Sequence, residues 1–364
     1  MHVVVVGAGI LGLSIAYNLA KRGADVAVLE RQYPGSGISV RALGAVHSQW
    51  ENEHDINLAK KNREITDRLS SDLNFNILFR RDGYLMLASN KEKLAELDRN
   101  SGLQRSLGLD TTLLSSEEIQ DRYPFLDTSS IVGGTLSKGD GSVHPFSVVN
   151  GLWDSFEEMQ GKVVRPTTVK ALHVEGDRIS SAETDRDTYK ADVYVVAAGT
   201  GSREILRTIG LDVPTRLVKH EMLATEPLRF FLKPMIQSYR EGISIAQSLR
   251  GEILCQFPRR GEKILNDNSS TLEFLEDAAR ELVHFIPTLR EVKVLRPWAG
   301  LVETTRDSEP VTGRFVYENL WVAFADSGKG AMFAPAIGEM MAEEILSGKS
   351  NPDLVPYTPA RLLS

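Results

Sequence analysis

The chain has 364 residues, of which 42% are hydrophobic and 25% charged, so it is neither disordered nor collagen-like and has room for about two domains. Its 49 acidic residues exceed its 42 basic ones, and the net charge of −7 argues against nonspecific binding to nucleic acid, which needs clustered cations. The single cysteine, Cys255, excludes an intramolecular disulfide, a cysteine-based zinc site and an iron–sulfur cluster. We predict no metal centre, and the scarcity of cysteine favours a reducing, cytoplasmic compartment.

The apolar run from Val3 to Tyr17 has the length of the core of a secretory signal. No basic residue precedes it, no small-residue cleavage site follows it, and glycines interrupt it. It is also too short to span a bilayer. We therefore predict neither a signal peptide nor a membrane span here.

The first thirty residues contain a strand, a glycine loop, a helix, a second strand and an acid, in that order. These segments are a buried strand at His2–Val6, the glycines Gly7, Gly9 and Gly12, a helix at Ser14–Arg22, a buried strand at Asp25–Leu29, and Glu30. This order is typical of a βαβ unit that binds a dinucleotide. The alternative is a sheet of the same topology that has no ligand at this turn.

Each glycine has a distinct expected role in such a unit. Gly7 allows the tight turn, Gly9 lets the backbone approach a pyrophosphate at the helix N-terminus, and Gly12 lets the helix pack closely on the strand. Glu30 lies 18 residues beyond Gly12, where a carboxylate can accept hydrogen bonds from an adenosine ribose. The acid would repel the 2′-phosphate of NADP, so FAD and NAD remain open.

The loop at residues 31–45 favours FAD. An NAD domain would continue with regular helices and strands, whereas this loop is rich in small and hydroxyl residues and suits the wrapping of an extended ligand. The alternative interpretation is a flexible surface loop.

Periodicity and turn residues predict the remaining elements. They are an amphipathic helix at Asn52–Asn74 that faces solvent or another subunit, a turn and strand at Arg81–Leu87, a helix at Lys91–Gly108, a helix capped by Ser115 that ends at Tyr123, a strand at Thr188–Val196, strands and turns from Glu221 to Leu265 that include Gly251–Gln256, a helix at Leu272–Phe285, a strand at Leu320–Ala325, and an extended tail after Asn351. We also expect a last helix with Pro335 in its first turn, running to about Leu346 before Gly348 ends it.

Several segments, taken together, resemble the FAD-dependent oxidoreductases of the D-amino-acid oxidase superfamily, above all glycine and sarcosine oxidases and the catalytic subunits of dye-linked L-proline dehydrogenases. They are the N-terminal glycine loop, Asp140–Pro145, the turn Val195–Thr200, Trp298–Leu301, Thr305–Gly313 and Asp326–Gly338. The resemblance implies an α/β fold with a discontinuous, Rossmann-like FAD-binding domain (residues 1–80, 140–215 and 290–364). An α+β substrate domain built on an antiparallel sheet would comprise residues 81–139 and 216–289.

The same resemblance implies the residues that hold FAD. They are Gly7, Gly9, Ile10, Leu11, Gly12, Glu30, Arg31, Ser36, Ser39, Arg41, Ala42, Leu43, Val169, Ala198, Gly199, Gly300, Gly328, Lys329, Gly330, Ala331 and Met332. The backbone of Val169 would meet adenine, and residues 328–332 would meet the flavin ring. A helix N-terminus aimed at the flavin would stabilise its reduced anion, although the alternative for this segment is an ordinary loop that leads into a helix.

FAD is expected to be noncovalent. Arg41 stands where some relatives carry a linking histidine, and Cys255 does not match the attachment cysteine of others.

The resemblance further implies oxidation of an amine or amino acid: a secondary amine such as proline or sarcosine, or glycine or a D-amino acid. Hydride would pass from the α-carbon to flavin N5, and water would hydrolyse the resulting imine. Oxygen or a dye- or quinone-type carrier would accept the electrons. Two alternatives remain: a 2-hydroxy-acid oxidoreductase, and an accessory flavoprotein subunit of a heteromeric dehydrogenase. A partner subunit and a homo-oligomer are both open.

Three positions depart from the family pattern. His47 replaces an arginine that often binds a substrate carboxylate, Val302 replaces the corresponding arginine of glycine oxidases, and Lys329 replaces a usual histidine. We single out His47 and Lys329 as candidate catalytic residues, against the alternatives of a structural imidazole and a solvated loop lysine.

Four other side chains are weaker candidates. A substrate carboxylate could also meet Arg41 or Arg250. Tyr84 and His220 are candidates for which a packing role is the more common one. We assign Arg306 to the surface.

Overall fold

The computed structural model describes residues 1–238, 242–258 and 268–363. Its α-helices are α1 (Ile10–Lys21), α2 (Glu53–Asp72), α3 (Lys91–Ser106), α4 (Ser116–Arg122), α5 (Pro145–Glu158), α6 (Ser202–Arg207), α7 (Leu272–Phe285) and α8 (Gly330–Ser347). Short 3₁₀ helices lie at Gly199–Gly201, Pro287–Glu291, Pro352–Tyr357 and Pro359–Leu362.

The strands are β1 (His2–Val6), β2 (Asp25–Leu29), β3 (Ala45–Val46), β4 (Tyr84–Ala88), β5 (Thr112–Ser115), β6 (Gly133–Ser137), β7 (Gly141–Ser142), β8 (Lys162–Val164), β9 (Val169–Glu175), β10 (Arg178–Thr184), β11 (Thr188–Tyr189), β12 (Val193–Val196), β13 (Arg216–Pro227), β14 (Met235–Ser238), β15 (Ser244–Gln247), β16 (Glu252–Pro258), β17 (Val294–Thr304), β18 (Val311–Arg314) and β19 (Leu320–Phe324).

Two large sheets contain most of these strands; in addition β11, β10 and β9 form a three-stranded sheet, and β3 pairs with β7. The first has the order β18-β19-β12-β1-β2-β8 and is parallel except for β18. The second, in the order β17-β13-β16-β15-β14-β4-β6-β5, is antiparallel except where β14 meets β4. This pair of sheets confirms the predicted α/β class with a Rossmann-like region and an antiparallel sheet. β17, which begins within the predicted segment 290–364, pairs with β13 in the second sheet.

Each of the two large sheets has an apolar core of its own, because different helices pack on each sheet. Helices α1, α5 and α8 cover one face of the parallel sheet, where Leu13, Phe156 and Phe333 are fully buried. On the antiparallel sheet, α7 buries Phe274 against Cys255 and other residues of the strands. Among the described helices, none has both the length and the apolarity to cross a membrane.

Most local predictions are confirmed. β1, β2 and α7 have the predicted bounds, and α2 and α3 lie within theirs. At the start of α4, Ser115 accepts the amide of Glu118, whose side chain accepts the amide of Ser115 in return, so the predicted cap is a full capping box.

Some boundaries were wrong. α1 begins at Ile10, four residues earlier than predicted, because the glycine-rich turn already belongs to its first turn. The predicted strand Thr188–Val196 is two strands, β11 and β12, in different sheets. The tail after Asn351 is not extended but forms two 3₁₀ helices. In the segment predicted from Glu221 to Leu265, strands β13–β16 are confirmed, and residues 239–241 and 259–265 lie outside the described residues.

Pro335 is not in the first turn of the last helix but inside it, since α8 begins at Gly330. A proline in this position leaves the carbonyl four residues earlier without its usual donor. The amide of Asn62 on α2 replaces it: Nδ2 donates to the Ala331 carbonyl at 3.1 Å, and Oδ1 accepts the Ala336 amide at 3.1 Å. One buried side chain therefore satisfies two backbone groups of the interrupted helix.

Candidate active site

The predicted nucleotide end of the site forms where β1, β2 and β12 end side by side. The Ala197 amide donates to the Val6 carbonyl at 2.9 Å, which brings the turn after β12 against the glycine loop. Gly7 has φ +103°, and a Cβ there would lie 2.5 Å from the Ala197 oxygen and 2.8 Å from Cα of Ala198. The predicted Ala198 and Gly199 thus adjoin Gly7. Only glycine fits this crossing of two backbones.

Glu30 is buried and holds the glycine loop in place. Its Oε2 accepts the Ala8 amide at 2.8 Å and its Oε1 accepts the Gln32 amide at 2.8 Å. The Glu30 backbone bonds in addition to Val164 at 3.1 Å and Thr167 at 2.8 Å, which brings the start of β9 at Val169 towards the same end. Each carboxylate oxygen keeps further acceptor capacity for a ribose hydroxyl.

The first turn of α1 presents backbone donors. The Ile10 amide donates to Ser39 Oγ at 3.0 Å. The amides of Leu11 and Gly12 have no acceptor among the residues that the structure describes. Such a turn suits an anion, because its unpaired amides can donate hydrogen bonds and the positive end of the helix dipole lies at the same place.

The loop at residues 31–45 is fixed by specific contacts. The Arg41 guanidinium donates to the carbonyls of Ser36 and Gly37, and the indole of Trp298 donates to the Arg41 carbonyl at 3.1 Å. A Cβ on Gly300 would overlap Ile38, so this glycine lets the loop lie directly on β17. These contacts fix the part of the loop around Ile38 and Arg41 against β17, whereas Arg31, Gln32, Tyr33 and Gly37 are exposed.

Beyond this loop lies a cavity of about 530 Å³ between the glycine loop and the antiparallel sheet. Of the predicted residues, those that line it are Ile10, Ser39, Ala42, Leu43, His47, Gly328, Lys329, Gly330, Ala331 and Met332. The others lie outside its lining: Gly7, Gly9, Leu11, Gly12, Glu30, Arg31, Ser36, Arg41, Val169, Ala198, Gly199 and Gly300. The predicted flavin-facing residues therefore share one cavity.

The turn before α8 exposes two backbone donors to this cavity. Ser327 and Gly328 have positive φ, and the Gly328 amide donates to Asp326 Oδ1 at 3.0 Å. The next amides at the helix start, those of Gly330 and Ala331, have no acceptor among the described residues. Two such donors at a helix N-terminus suit the pyrimidine edge of a flavin, where negative charge develops on reduction.

Lys329 is buried and fully engaged. Its Nζ donates to Asp55 Oδ2 at 2.9 Å and to Glu309 Oε2 at 2.8 Å, and lies 4.6 Å from the centroid of the Trp50 ring. Tyr357 donates to the other Asp55 oxygen at 2.7 Å. This network differs from the solvated loop lysine considered as the alternative.

The network sets the charges of its two acids. Burial opposes ionisation of Asp55, yet Lys329 and Tyr357 bring its pKa below the usual value. Burial, together with the charge of Asp55, raises the pKa of Glu309 to about 7 against the opposing effect of Lys329. His54, Asp55 and Glu309 could also group around a cation, but the Lys329 ammonium already bonds both acids.

His47 is neutral and packed between aromatic rings. Its ring lies 4.5 Å from those of Trp50 and Tyr84, measured between centroids. Burial, assisted by the charge of Lys329, lowers its pKa to about 3. Its Nδ1 has no hydrogen-bond partner within the described parts of the chain. A neutral imidazole does not replace an arginine as a partner for a carboxylate.

Tyr84 and His220 also line the cavity. The Tyr84 hydroxyl donates to Gln237 Oε1 at 2.8 Å. His220 Nδ1 bonds to the Gln256 amide at 2.8 Å, and burial lowers the His220 pKa to about 4. His220 also faces the turn before α8, since a Cβ on Gly328 would lie 3.9 Å from its Cε1.

Sequence reasoning missed Asp55, Glu309, Tyr357 and Gln237. Asp55 had a local signal: an acid next to Ile56 on the apolar stripe of α2. Glu309 lies in Thr305–Gly313, a segment that carries the family resemblance, but nothing local distinguishes it from the neighbouring acids Asp307 and Glu303. Arg250 is exposed and outside the cavity lining, and Arg306 is exposed as predicted.

Comparison with known proteins places this geometry in a family. The family model described as "FAD dependent oxidoreductase" matches residues 2–344. Sarcosine oxidase subunit beta of Rhodobacter capsulatus is 24% identical over 354 residues, covering 96% of this chain and 85% of that protein. Mitochondrial dimethylglycine dehydrogenase of Rattus norvegicus is 24% identical over 388 residues, covering 98% of this chain and 44% of that protein.

Solved structures agree with this assignment. L-Proline dehydrogenase from P. horikoshii superposes with a TM-score of 0.92 at 30% identity, over 99% of this chain and 97% of that one. Glycine oxidase from Geobacillus kaustophilus has the same fold, with a TM-score of 0.91 at 22% identity over 99% and 98% of the two chains. The glycine loop, the cavity and a family match over nearly the whole length confirm the resemblance seen in the sequence. The chain is a member of the FAD-dependent oxidoreductase family, with FAD as its cofactor.

Proposed function

We propose that this protein oxidises a small amine or amino acid at the carbon bonded to the amine nitrogen. The observation that carries the proposal is one continuous cavity that runs from Ile10 at the start of α1 to Gly330 and Ala331 at the start of α8, whose amides have no acceptor in the described parts of the chain. Further support comes from relatives whose names state oxidation of sarcosine, dimethylglycine and proline.

FAD, when bound, supplies the acceptor for the two electrons and the hydrogen lost from the C–H bond next to nitrogen. The substrate is left with a C=N bond, which water hydrolyses to a carbonyl compound and an amine. The chain's own task is to bind, to orient the C–H bond and to exclude bulk water. In this proposal the rings of His47, Trp50 and Tyr84 form one wall of the cavity. Lys329 holds the Trp50 ring in place and balances the negative charge of Asp55 next to that wall.

We assign FAD binding to the residues predicted from the sequence. The first turn of α1 holds the pyrophosphate, Glu30 the ribose, and Gly328–Met332 the flavin. We also retain the division into an FAD-binding part (1–80, 140–215 and 290–364) and a substrate part (81–139 and 216–289), and a cytoplasmic location. The match to a protein named a subunit beta supports a partner subunit as well.

The visible spectrum of the purified protein, repeated anaerobically with amines, L- and D-amino acids and 2-hydroxy acids, tests the proposal. We expect flavin absorbance that amines or amino acids bleach. Bleaching by hydroxy acids alone would overturn the proposal in favour of alcohol oxidation. If substrates bleach the flavin only when a second, co-purified subunit is present, an accessory role is favoured instead. Reoxidation by air or by a quinone-type dye then identifies the electron acceptor.

Noncovalent attachment has its own test. Cys255 is fully buried on β16 and does not line the cavity, so it is not placed to link the flavin. Acid precipitation should release all the FAD into the supernatant. Yellow colour that stays with the pellet would contradict this assignment.

The Glu30→Gln variant is expected to bind FAD more weakly. A carboxamide carries no charge and turns an NH₂ group to one of the two oxygen positions, so a ribose hydroxyl loses a charged acceptor when FAD binds. The cost is about 1–3 kcal/mol, or about 5- to 150-fold in the dissociation constant of FAD. Fluorescence titration of the apoprotein measures it, with the exposed Glu318→Gln as the matched control. Equal affinity in the two variants would remove Glu30 from the ribose site.

A further inference from the structure

The cavity lining is rich in carboxylates and poor in cations. Its acids are Glu51, Asp55, Asp307, Glu309 and Asp326. Within the described residues, Lys329 is the one lysine or arginine of the lining. The two histidines there, His47 and His220, are neutral at physiological pH because burial lowers the pKa of each.

No described cation near the cavity is free to bind a substrate carboxylate. The Lys329 ammonium already bonds two carboxylates, at 2.9 Å and 2.8 Å. Nη1 of Arg41 donates to two loop carbonyls, and Arg41 and Arg250 both lie outside the lining. A carboxylate that entered would meet acids without a partner of opposite charge, which is costly in a partly buried site.

Within the network around Lys329, Glu309 is the acid with spare capacity. Asp55 uses both oxygens, for Lys329 and Tyr357, and Asp307 is paired with Arg361 at 2.8 Å. Glu309 Oε2 accepts Lys329, but its Oε1 has no hydrogen-bond donor in the described parts of the chain. Lys329 carries one positive charge for two acids, so the pair has one excess negative charge whenever Glu309, a residue of the cavity lining, is ionised.

We infer that the cavity selects amines that carry a second positive charge and no carboxylate, and that Glu309 binds the distal cation. This inference rests on the proposed amine oxidation and narrows its substrate class to diamine-like compounds. Glu309 acts here as a specificity residue, because a distal ammonium completes the hydrogen bonding of Oε1 while the reacting nitrogen stays free.

The first experiment compares three substrates with one carbon skeleton: N-methylbutylamine, N-methyl-1,4-diaminobutane and 4-(methylamino)butanoate. Anaerobic stopped-flow with the holoenzyme gives the rate of flavin reduction and the apparent dissociation constant of each. We expect the diamine to bind about 10- to 100-fold more tightly than the monoamine, as for a hydrogen bond to a charged group, and the carboxylate compound to bind worst. Preference for the carboxylate compound, with turnover intact, would overturn this inference but not amine oxidation.

The second experiment is a binding measurement that needs no turnover. Butyltrimethylammonium and 1,4-bis(trimethylammonio)butane carry permanent charges and cannot form an imine, so calorimetry reports charge recognition alone. The dication should bind more tightly, and Glu309→Gln should abolish most of that difference while Glu318→Gln, remote and exposed, preserves it. Equal binding of the two probes in the unmodified enzyme would contradict the inference, even where no amine of the first panel reduces the flavin.

The pH dependence of the difference in binding between the dication and the monocation gives an independent test of Glu309. Groups that face Glu309 are His54 and Asp55 on α2, Lys329 before α8, and Tyr357 near the C-terminus. Its pKa of about 7 means that it is ionised above this pH and neutral below it. The advantage of the permanent dication should therefore grow as the pH rises through 7 and vanish at lower pH. An advantage independent of pH, or one that grows on acidification, would exclude Glu309.

Discussion

The Lys329→Met variant is expected to lose about 3–5 kcal/mol of folding stability, the range for removal of one partner of a buried ion pair. Lys329 is 7% exposed, and its ammonium is the cation shared by Asp55 and Glu309. Methionine fills a similar volume but leaves two neighbouring carboxylates without a positive charge. Denaturant unfolding of the apoprotein measures the loss.

Two matched variants separate this effect from a general intolerance of substitution. Lys21→Met removes an exposed lysine that pairs with Asp72 at 3.4 Å, and should cost no more than about 1 kcal/mol. The double variant Lys329→Met/Asp55→Asn should recover part of the loss, because the amide oxygen still accepts from Tyr357 while one negative charge disappears. A double variant less stable than Lys329→Met alone would contradict the charge argument.

The folding stability lost in Lys329→Met should also depend on pH. Lys329 stabilises carboxylates, so its contribution is full when Glu309 is ionised and falls as the pH drops through the Glu309 pKa of about 7. The gap between Lys329→Met and the unmodified protein is therefore expected to narrow on acidification. A gap that stays constant with pH would mean that lost packing, rather than lost charge, explains the variant, and a gap that widens on acidification would contradict the charge argument.

The local parts of this site are predictable from sequence because their signals are local. The order of β1, the glycines, α1, β2 and Glu30 follows from periodicity and spacing over thirty residues, and the structure keeps that order with β1 and β2 at the predicted bounds. The start of α8 is harder to predict. Pro335 normally marks a first turn, and nothing local reveals that Asn62, far away in sequence, supplies the missing hydrogen bonds.

The charge network could not be predicted for the same reason. Asp55 lies 274 residues before Lys329, and Glu309 lies 20 residues before it. The three side chains meet only because α2, the loop after β17 and the turn before α8 converge on one cavity. Sequence alone gave Lys329 two equally simple roles, contact with flavin or substrate and a solvated lysine. The structure gives a third, a buried cation between two acids, because folding places both partners within 3 Å of its nitrogen.

The Gly12→Ala variant is expected to lose both FAD and stability. A Cβ on Gly12 would overlap the carbonyl oxygen of Gly7, which is backbone and cannot move without lifting α1 from β1. Overpacking of this kind costs about 1–3 kcal/mol or more. The ratio of flavin to protein absorbance after purification in excess FAD, and the melting temperature of the apoprotein, should both fall.

Gly9→Ala distinguishes binding from folding. Its Cβ would meet only the flexible Ser39 hydroxyl, at 3.3 Å, so the apoprotein should melt close to the unmodified one. The methyl group would, however, stand where the backbone approaches a pyrophosphate. FAD affinity should therefore fall while the fold is retained, and Gly102→Ala, where a Cβ meets nothing within 4 Å, should change neither. Unchanged FAD affinity in Gly9→Ala would mean that the pyrophosphate does not lie on this turn. The comparison of Gly12→Ala with Gly9→Ala is thus the sharpest test of the nucleotide site, since Gly12→Ala changes the fold and Gly9→Ala changes only the space for the ligand.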